Sequence, residues 1–360
     1  MSILSTSARR PAGRRSFDGK VVVVTGASAG VGRATARQFA RTGAAVALIA
    51  RDVGALEDAA AEVEAAGGQA LAVSCDVADA EALDAAADRI EQELGPIDVW
   101  VNCAMLTVFS PLWEMTPQEF RRVTEVTYLG FVYGTMAALA RMKPRDRGVV
   151  IQVGSSLAYR GIPLQSAYCG AKHAIRGFTD SLRSELIHDG SAVRLVMVQL
   201  PAMNTPQFDW ARTHMPREPR PVAPVIQPEV AARAIVRAAR GPHRELWLGL
   251  STVKVILGSM IAPAFLDRYL ARRAFDGQER RTGVGPQRKD NLMAPVSSLH
   301  AVHGAFGAEA RRSALLVSGG GARVAAAAGL AVAAVAAGMA VRLIQDGRAT
   351  GSRRALARRR

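Results

Sequence analysis

Cysteine is scarce in this chain. Its 360 residues hold three, Cys75, Cys103 and Cys169, an odd number with no Cys-x-x-Cys and no paired spacing. That excludes a disulfide framework and a cysteine-built zinc site, leaves no metal to expect, and points to a reducing compartment. Acidic residues are also in the minority, 31 against 46 Lys and Arg, for a net charge of +15. The excess sits at the ends. Residues 1–20 carry Arg9, Arg10, Arg14, Arg15 and Lys20 against Asp18, and residues 311–360 carry ten Arg against Asp346, so residues 21–310 retain only +2. A nucleic-acid binder gathers its basic residues on a folded face. The body lacks such a stripe, and nucleic acid is not an expected partner. Basic tails fit solvated arms or contact with anionic headgroups. Met1–Phe17 has arginine but no apolar core, so residues 1–16 read as a disordered basic leader, not a secretory signal. No internal repeat is visible.

The remainder is orderly. Short apolar runs (Val21–Val24, Ala45–Ala50, Leu71–Ser74, Val99–Val101, Val149–Val153, Val193–Val198) predict buried strands. Helical windows lie between them: Arg33–Arg41, Ala55–Ala66, Ala80–Leu94, Pro117–Met142 and Ser166–His188. The Pro117 window has a clear start, with Thr116 as N-cap, Pro117 in the first turn and Glu119 completing a capping box. Strand–helix alternation of this kind predicts an α/β fold, a Rossmann-type doubly wound parallel sheet. Pro228–Ala239 and Glu245–Leu248 close a domain spanning residues 17–250. Beyond it, 251–310 reads as an extension or linker, 311–345 as an apolar helix, and 346–360 as a basic tail.

Thr25-Gly26-Ala27-Ser28-Ala29-Gly30-Val31-Gly32 follows the first strand and opens the first helix. Glycines there permit a tight turn, close approach of backbone to a pyrophosphate, and close helix–strand packing, while the helix N-terminus favours anions. Further along, Tyr168 and Lys172 stand one helical turn apart on one face. A phenol with a pKa of about 10 is a poor proton shuttle at neutral pH. A neighbouring ammonium stabilises the phenolate and lowers that value.

The G-x-x-x-G-x-G spacing, joined to Tyr168-x-x-x-Lys172, resembles the short-chain dehydrogenase/reductase family over about residues 20–249. The resemblance implies an oxidoreductase that transfers hydride between a nicotinamide dinucleotide and a carbonyl or alcohol. Tyr168 would be the acid/base and Lys172 its tuner and a holder of ribose hydroxyls. Ser155, thirteen residues before Tyr168, would steady the substrate oxygen, with Ser156 adjacent but one residue short of the family spacing. Asp76 would contact adenine, and Asn102 and Ala104 stand in the loop after the fourth strand. Pro201-Ala202-Met203-Asn204-Thr205 would place Thr205 on the nicotinamide carboxamide. Arg51, just past the second strand, stands where an acidic residue would hold the ribose 2′-hydroxyl; Arg suits a 2′-phosphate, with Arg33 as a second contact. NADP is therefore favoured over NAD, the alternative being that Arg51 is a solvated charge.

Two departures stand out. Met105 replaces a glycine near the nicotinamide. Thr127 replaces the asparagine that positions a relay water, and a hydroxyl can hold a water with different geometry. They keep alive a second reading, a catalytically weak dinucleotide-binding regulatory or scaffold protein. The seven-proline segment from Pro201 to Pro228 carries Met203, Phe208, Trp210 and Met215. They either line a pocket for an apolar small-molecule substrate or pack the loop down.

Residues 324–341 form an eighteen-residue apolar run with Ala325, Gly329, Ala333 and Ala337 at every fourth position. It reads as a membrane helix at the short end of the spanning range, or as a soluble helix docked on the domain. The arginines after it keep the C-terminus cytoplasmic, so a single span would separate the enzyme from reduced NADP unless Val253–Leu266 also touches the membrane. The expected location is cytoplasmic, with attachment to the inner membrane face. By resemblance, homo-oligomers would pair through the Pro117 and Ser166 helices.

Overall fold

Apolar runs without alternation become strands covered on both faces, and the helices between them supply the cover. The computed structural model describes residues 2–4 and 16–329. After an edge strand β1 (Ser2–Leu4), the chain alternates β2 (Val21–Thr25), α1 (Gly30–Ala40), β3 (Ala45–Ala50), α2 (Val53–Ala65), β4 (Gln69–Ser74), α3 (Ala80–Leu94) and β5 (Ile97–Asn102). Asp52 and Asp79 start α2 and α3 by accepting from the amides of Ala55 and Ala82, the role short acidic side chains play at N-caps. There follow β6 (Val108–Phe109), α4 (Pro117–Thr124), α5 (Gly130–Met142), β7 (Val149–Ser155), α6 (Ser166–His188), β8 (Arg194–Leu200), α7 (Gln207–Trp210), β9 (Arg212–Thr213) and β10 (Arg217–Pro219). The last elements are α8 (Pro228–Arg240), β11 (Glu245–Leu248), α9 (Leu250–Ile261), α10 (Pro263–Arg273), β12 (Glu279–Gly283) and β13 (Ala314–Ser318).

Nine strands form the main sheet in the order β1-β13-β11-β8-β7-β5-β2-β3-β4. From β11 to β4 every neighbour is parallel. The chain builds outward from β2 through β3 to β4, then returns to β5 and builds the other way. The carboxyl ends of β2 and β5 therefore flank the switch point, where α/β sheets hold ligands. One face packs Phe39, Leu56, Val63 and Ile235 against the sheet, and the other packs Leu83, Ile90, Trp100 and Met142. The predicted capping box at α4 is present, with Thr116 and Glu119 bonded reciprocally at 3.2 and 2.9 Å.

Three expectations need correction. The sheet does not end at β11: β13 adds antiparallel to it, and β1 adds antiparallel to β13. Part of the leader is thus a strand, and the first part of the stretch read as an apolar helix over 311–345 is strand β13 instead, because an uncovered β11 edge would leave a row of peptide groups unpaired. The helix expected over 117–142 is interrupted by a π-turn at Glu125–Leu129. The apolar stretch Val253–Leu266 is not continuous but breaks at Pro263 between α9 and α10.

Residues 319–329 are helical. The remainder of the 324–341 run and the 346–360 tail lie outside the described residues. Among the described residues no helix is long and apolar enough to cross a membrane.

Completion of the sheet by β13 yields a direct expectation. A chain ending at Ser318 keeps every strand among the described residues and is the reference. One ending at Ser313 should melt on the order of 5–10 °C lower and aggregate through the freed β11 edge. Equal melting temperatures in a thermal scan would contradict this role of β13.

Candidate active site

The turn between β2 and α1 is shaped by its glycines. Gly26 has φ +68°, and a Cβ there would fall 2.7 Å from Ala104 Cα; a Cβ on Gly32 would fall 2.1 Å from the Gly26 carbonyl oxygen. Only hydrogen fits at either place, so the turn folds tightly and α1 starts directly against it. No side chain caps α1. A cavity of about 530 Å³ opens above this turn and runs past the carboxyl ends of β5, β7 and β8.

Ser155, Tyr168 and Lys172 converge on that cavity. Ser155 ends β7, and its Oγ accepts from the Leu157 amide at 3.1 Å. Tyr168 and Lys172 project from the first turns of α6. The Lys172 Nζ donates to the Val153 carbonyl at 2.9 Å and lies 4.5 Å from the centroid of the Phe131 ring and 5.6 Å from that of Tyr168. Burial lowers the Lys172 ammonium to about 8. Burial also pushes the Tyr168 phenol above its ordinary range, while a hydrogen bond with Ser155 pulls it back. The phenol therefore holds its proton in the bare site and needs nearby positive charge to release it.

Gly26, Ser28, Gly30, Val31, Gly32, Arg51, Asp76, Ala104, Met105, Pro201 and Thr205 also line the cavity. Four other predicted residues do not, because protein groups hold their polar atoms. Thr25 Oγ1 accepts from the amides of Cys103 and Ala104 at 3.0 and 3.2 Å, tying β2 to the end of β5. Arg33 is buried and bonds Glu62 through Nε and Nη2 at 3.1 Å each. Asn102 bonds Trp100, Thr135 and Gln152, locking β5 to β7 and α5. Thr127 sits in the π-turn, its hydroxyl donating to Leu106 O and accepting from Leu106 N, both at 2.9 Å. That pairing leaves its donor engaged and keeps it off the cavity wall.

Arg51 and Asp76 reach the wall already in partnership. Arg51 donates to the carbonyls of Asn291, Leu292 and Met293 at 2.6, 3.4 and 3.0 Å, and Asp76 pairs with Arg122. The segment that supplies those carbonyls contributes Asn291, Pro295, Val296 and His300 to the cavity. Sequence reading missed it, because an irregular stretch of mixed polar and apolar residues carries no periodicity that marks a binding wall. The proline-rich segment is packed down and also walls the cavity. Met203, Phe208, Trp210 and Met215 are all buried, and the first three also face the cavity.

Residues 20–215 match the family model described as short chain dehydrogenase. The chain belongs to that family. This short-chain dehydrogenase is 30% identical over 283 residues to the uncharacterized oxidoreductase YxnA of Bacillus subtilis (strain 168), covering 78% of this chain and 80% of the relative. It is 32% identical over 231 residues to 3-dehydrosphinganine reductase of Danio rerio, covering 62% of this chain and 69% of that one. Among solved structures, a metagenomic short-chain oxidoreductase in complex with NADP aligns at 30% identity and a TM-score of 0.53, over 63% of this chain and 92% of that chain. The short-chain dehydrogenase here is an oxidoreductase of the same type.

The lysine sets a pH expectation. Its folded value of about 8 lies below the ordinary one, so the ammonium is lost as pH rises through that point. Because kcat/KM reports the free enzyme, kcat/KM for the reduced dinucleotide should fall with an apparent pKa near 8, and Lys172→Met should abolish the step. A profile flat from pH 7 to 9 in the unsubstituted enzyme would remove Lys172 from this role.

Proposed function

We propose that this enzyme interconverts an apolar carbonyl compound and its alcohol with NADP(H), Tyr168 moving the proton. One observation carries the reading: Ser155, Tyr168 and Lys172 meet in the same cavity as the glycine turn. The residues suit a dinucleotide. Tight glycines keep side chains off the start of α1, where the Gly30 amide meets only the Ala301 carbonyl, and Thr205 lies within van der Waals reach of Gly30. Gly26–Gly32 would hold the diphosphate, Lys172 the ribose hydroxyls, and Pro201 and Thr205 the carboxamide. Arg51 has five N–H donors, enough to serve a 2′-phosphate beside its carbonyl partners. Arg51 and the NADP-bound neighbour both favour NADP over NAD.

When bound, the dinucleotide supplies or receives the hydride. Every other task falls to the chain. Ser155 Oγ donates to the substrate oxygen and stabilises charge developing there. Tyr168 passes its phenolic proton to that oxygen in reduction and recovers it in oxidation. Lys172, fixed by Val153 O and the Phe131 ring, holds positive charge against the phenolate. Met105, Leu106, Leu157, Phe208, Val255 and Leu266 line much of the rest of the cavity, with Arg160, Gln165 and Arg220 among them, favouring a substrate that is largely hydrophobic. The relative named for reduction of a sphingoid ketone is consistent with that class. The scaffold alternative lacks a reason for the three catalytic groups to converge.

Tyr168→Phe should lower kcat by about 10²–10⁴ while NADPH affinity, read by nucleotide fluorescence, changes less than threefold. Activity within tenfold of the unsubstituted enzyme would sink the assignment. Tight NADPH binding with no turnover of long-chain ketones, steroids or retinoids would favour the scaffold reading.

A further inference from the structure

The segment from Asn291 to Phe306 lies along the whole dinucleotide cleft. At the β3 end its first carbonyls receive Arg51, and Arg122 Nε donates to Leu292 O at 3.2 Å. Ser297 Oγ donates to Asp52 Oδ2 at 2.5 Å. In the middle, the Gly30 amide donates to Ala301 O at 2.9 Å and Arg33 Nη1 to His300 O at 3.3 Å. At the far end, the Phe306 amide donates to Asn204 Oδ1 at 3.0 Å, one residue before Thr205. Leu292 and Val302 anchor it in two separate apolar clusters. The segment walls the cavity without filling it.

His300 is the exception to this satisfaction. Its side chain is only 7% exposed, it faces the cavity, and its ring lies 5.2 Å from that of Trp210. Nε2 stands 3.5 Å from Asp52 Oδ2, and neither ring nitrogen has a hydrogen-bond partner among the described residues. Buried polar groups are almost always paired; here Nε2 has only the 3.5 Å ion-pair contact with Asp52 and both nitrogens are shielded from the cavity, so an entering group pairs with them when the segment shifts. Between the glycine turn and the β3 end, the groups that enter are the phosphate and ribose oxygens of a dinucleotide.

We propose that residues 291–306 form a strap closing the dinucleotide cleft, and that His300 on it is a further cofactor-binding residue. The proposal rests on the reading that the cleft takes a dinucleotide. The strap covers the cleft from its β3 end to Thr205, so the bound molecule leaves only when the strap lifts.

The test compares His300→Leu and His300→Gln with the unsubstituted enzyme, by NADPH fluorescence titration, stopped-flow release and melting of the nucleotide-free protein. Leu keeps bulk without a polar group, so His300→Leu should melt at the same temperature or higher, yet bind NADPH about tenfold more weakly and release it faster. His300→Gln, which keeps a donor, should recover most of the affinity. Hydrogen exchange of residues 291–306 should slow when NADPH is added. If the unsubstituted enzyme binds NADPH and His300→Leu binds and releases it unchanged, the role of His300 is wrong and the functional reading stands. If the unsubstituted enzyme does not bind NADPH, the functional reading itself fails.

Discussion

A buried ammonium is the constraint around which this site is arranged. Among the described residues Lys172 Nζ has one protein acceptor, the Val153 carbonyl near the end of a central strand, with the Phe131 and Tyr168 rings 4.5 and 5.6 Å away. A charge taken out of water must be paired and oriented, and this pairing requires α6 to dock its first turns over the end of β7. Docking there places Tyr168 beside Ser155, and both over the mouth of the glycine turn. The Asn102 network supports the arrangement from below, since it ties β5, β7 and the helix that carries Phe131 into one unit. Thr25 and Asn102 hold strand ends without reaching the cavity, whereas Lys172 does both.

Much of this was legible in the sequence. Ala45–Ala50, Ala80–Leu94, Ser166–His188 and Glu245–Leu248 have the bounds read from their apolar pattern, because buried parallel strands and amphipathic helices leave strong local periodicity. Helical spacing put Tyr168 and Lys172 on one face, the family resemblance added Ser155, and all three line one cavity. What spacing could not tell was which polar atoms the protein itself engages. Thr25, Arg33, Asn102 and Thr127 all stand in motif positions, yet each is held by groups distant in sequence: Cys103, Glu62, Gln152 and Leu106.

The extension was the least legible part. Residues 291–306 are irregular, and Ala314–Ser318 is too short to stand out as a strand. The first depends on residues more than 200 positions earlier, such as Arg51 and Gly30, and the second on pairing with β11 and β1. The sheet edge and the cofactor cleft are completed by the same stretch of chain. A loss of order after residue 290 would thus affect stability and nucleotide binding together.

The most direct measurement is a crystal structure of the enzyme grown with NADP. This account predicts density for the dinucleotide under the strap, its diphosphate on Gly26–Gly32 and its nicotinamide beside Tyr168 and Thr205. A cleft closed by protein with NADP excluded, or a nicotinamide remote from Tyr168, would contradict it.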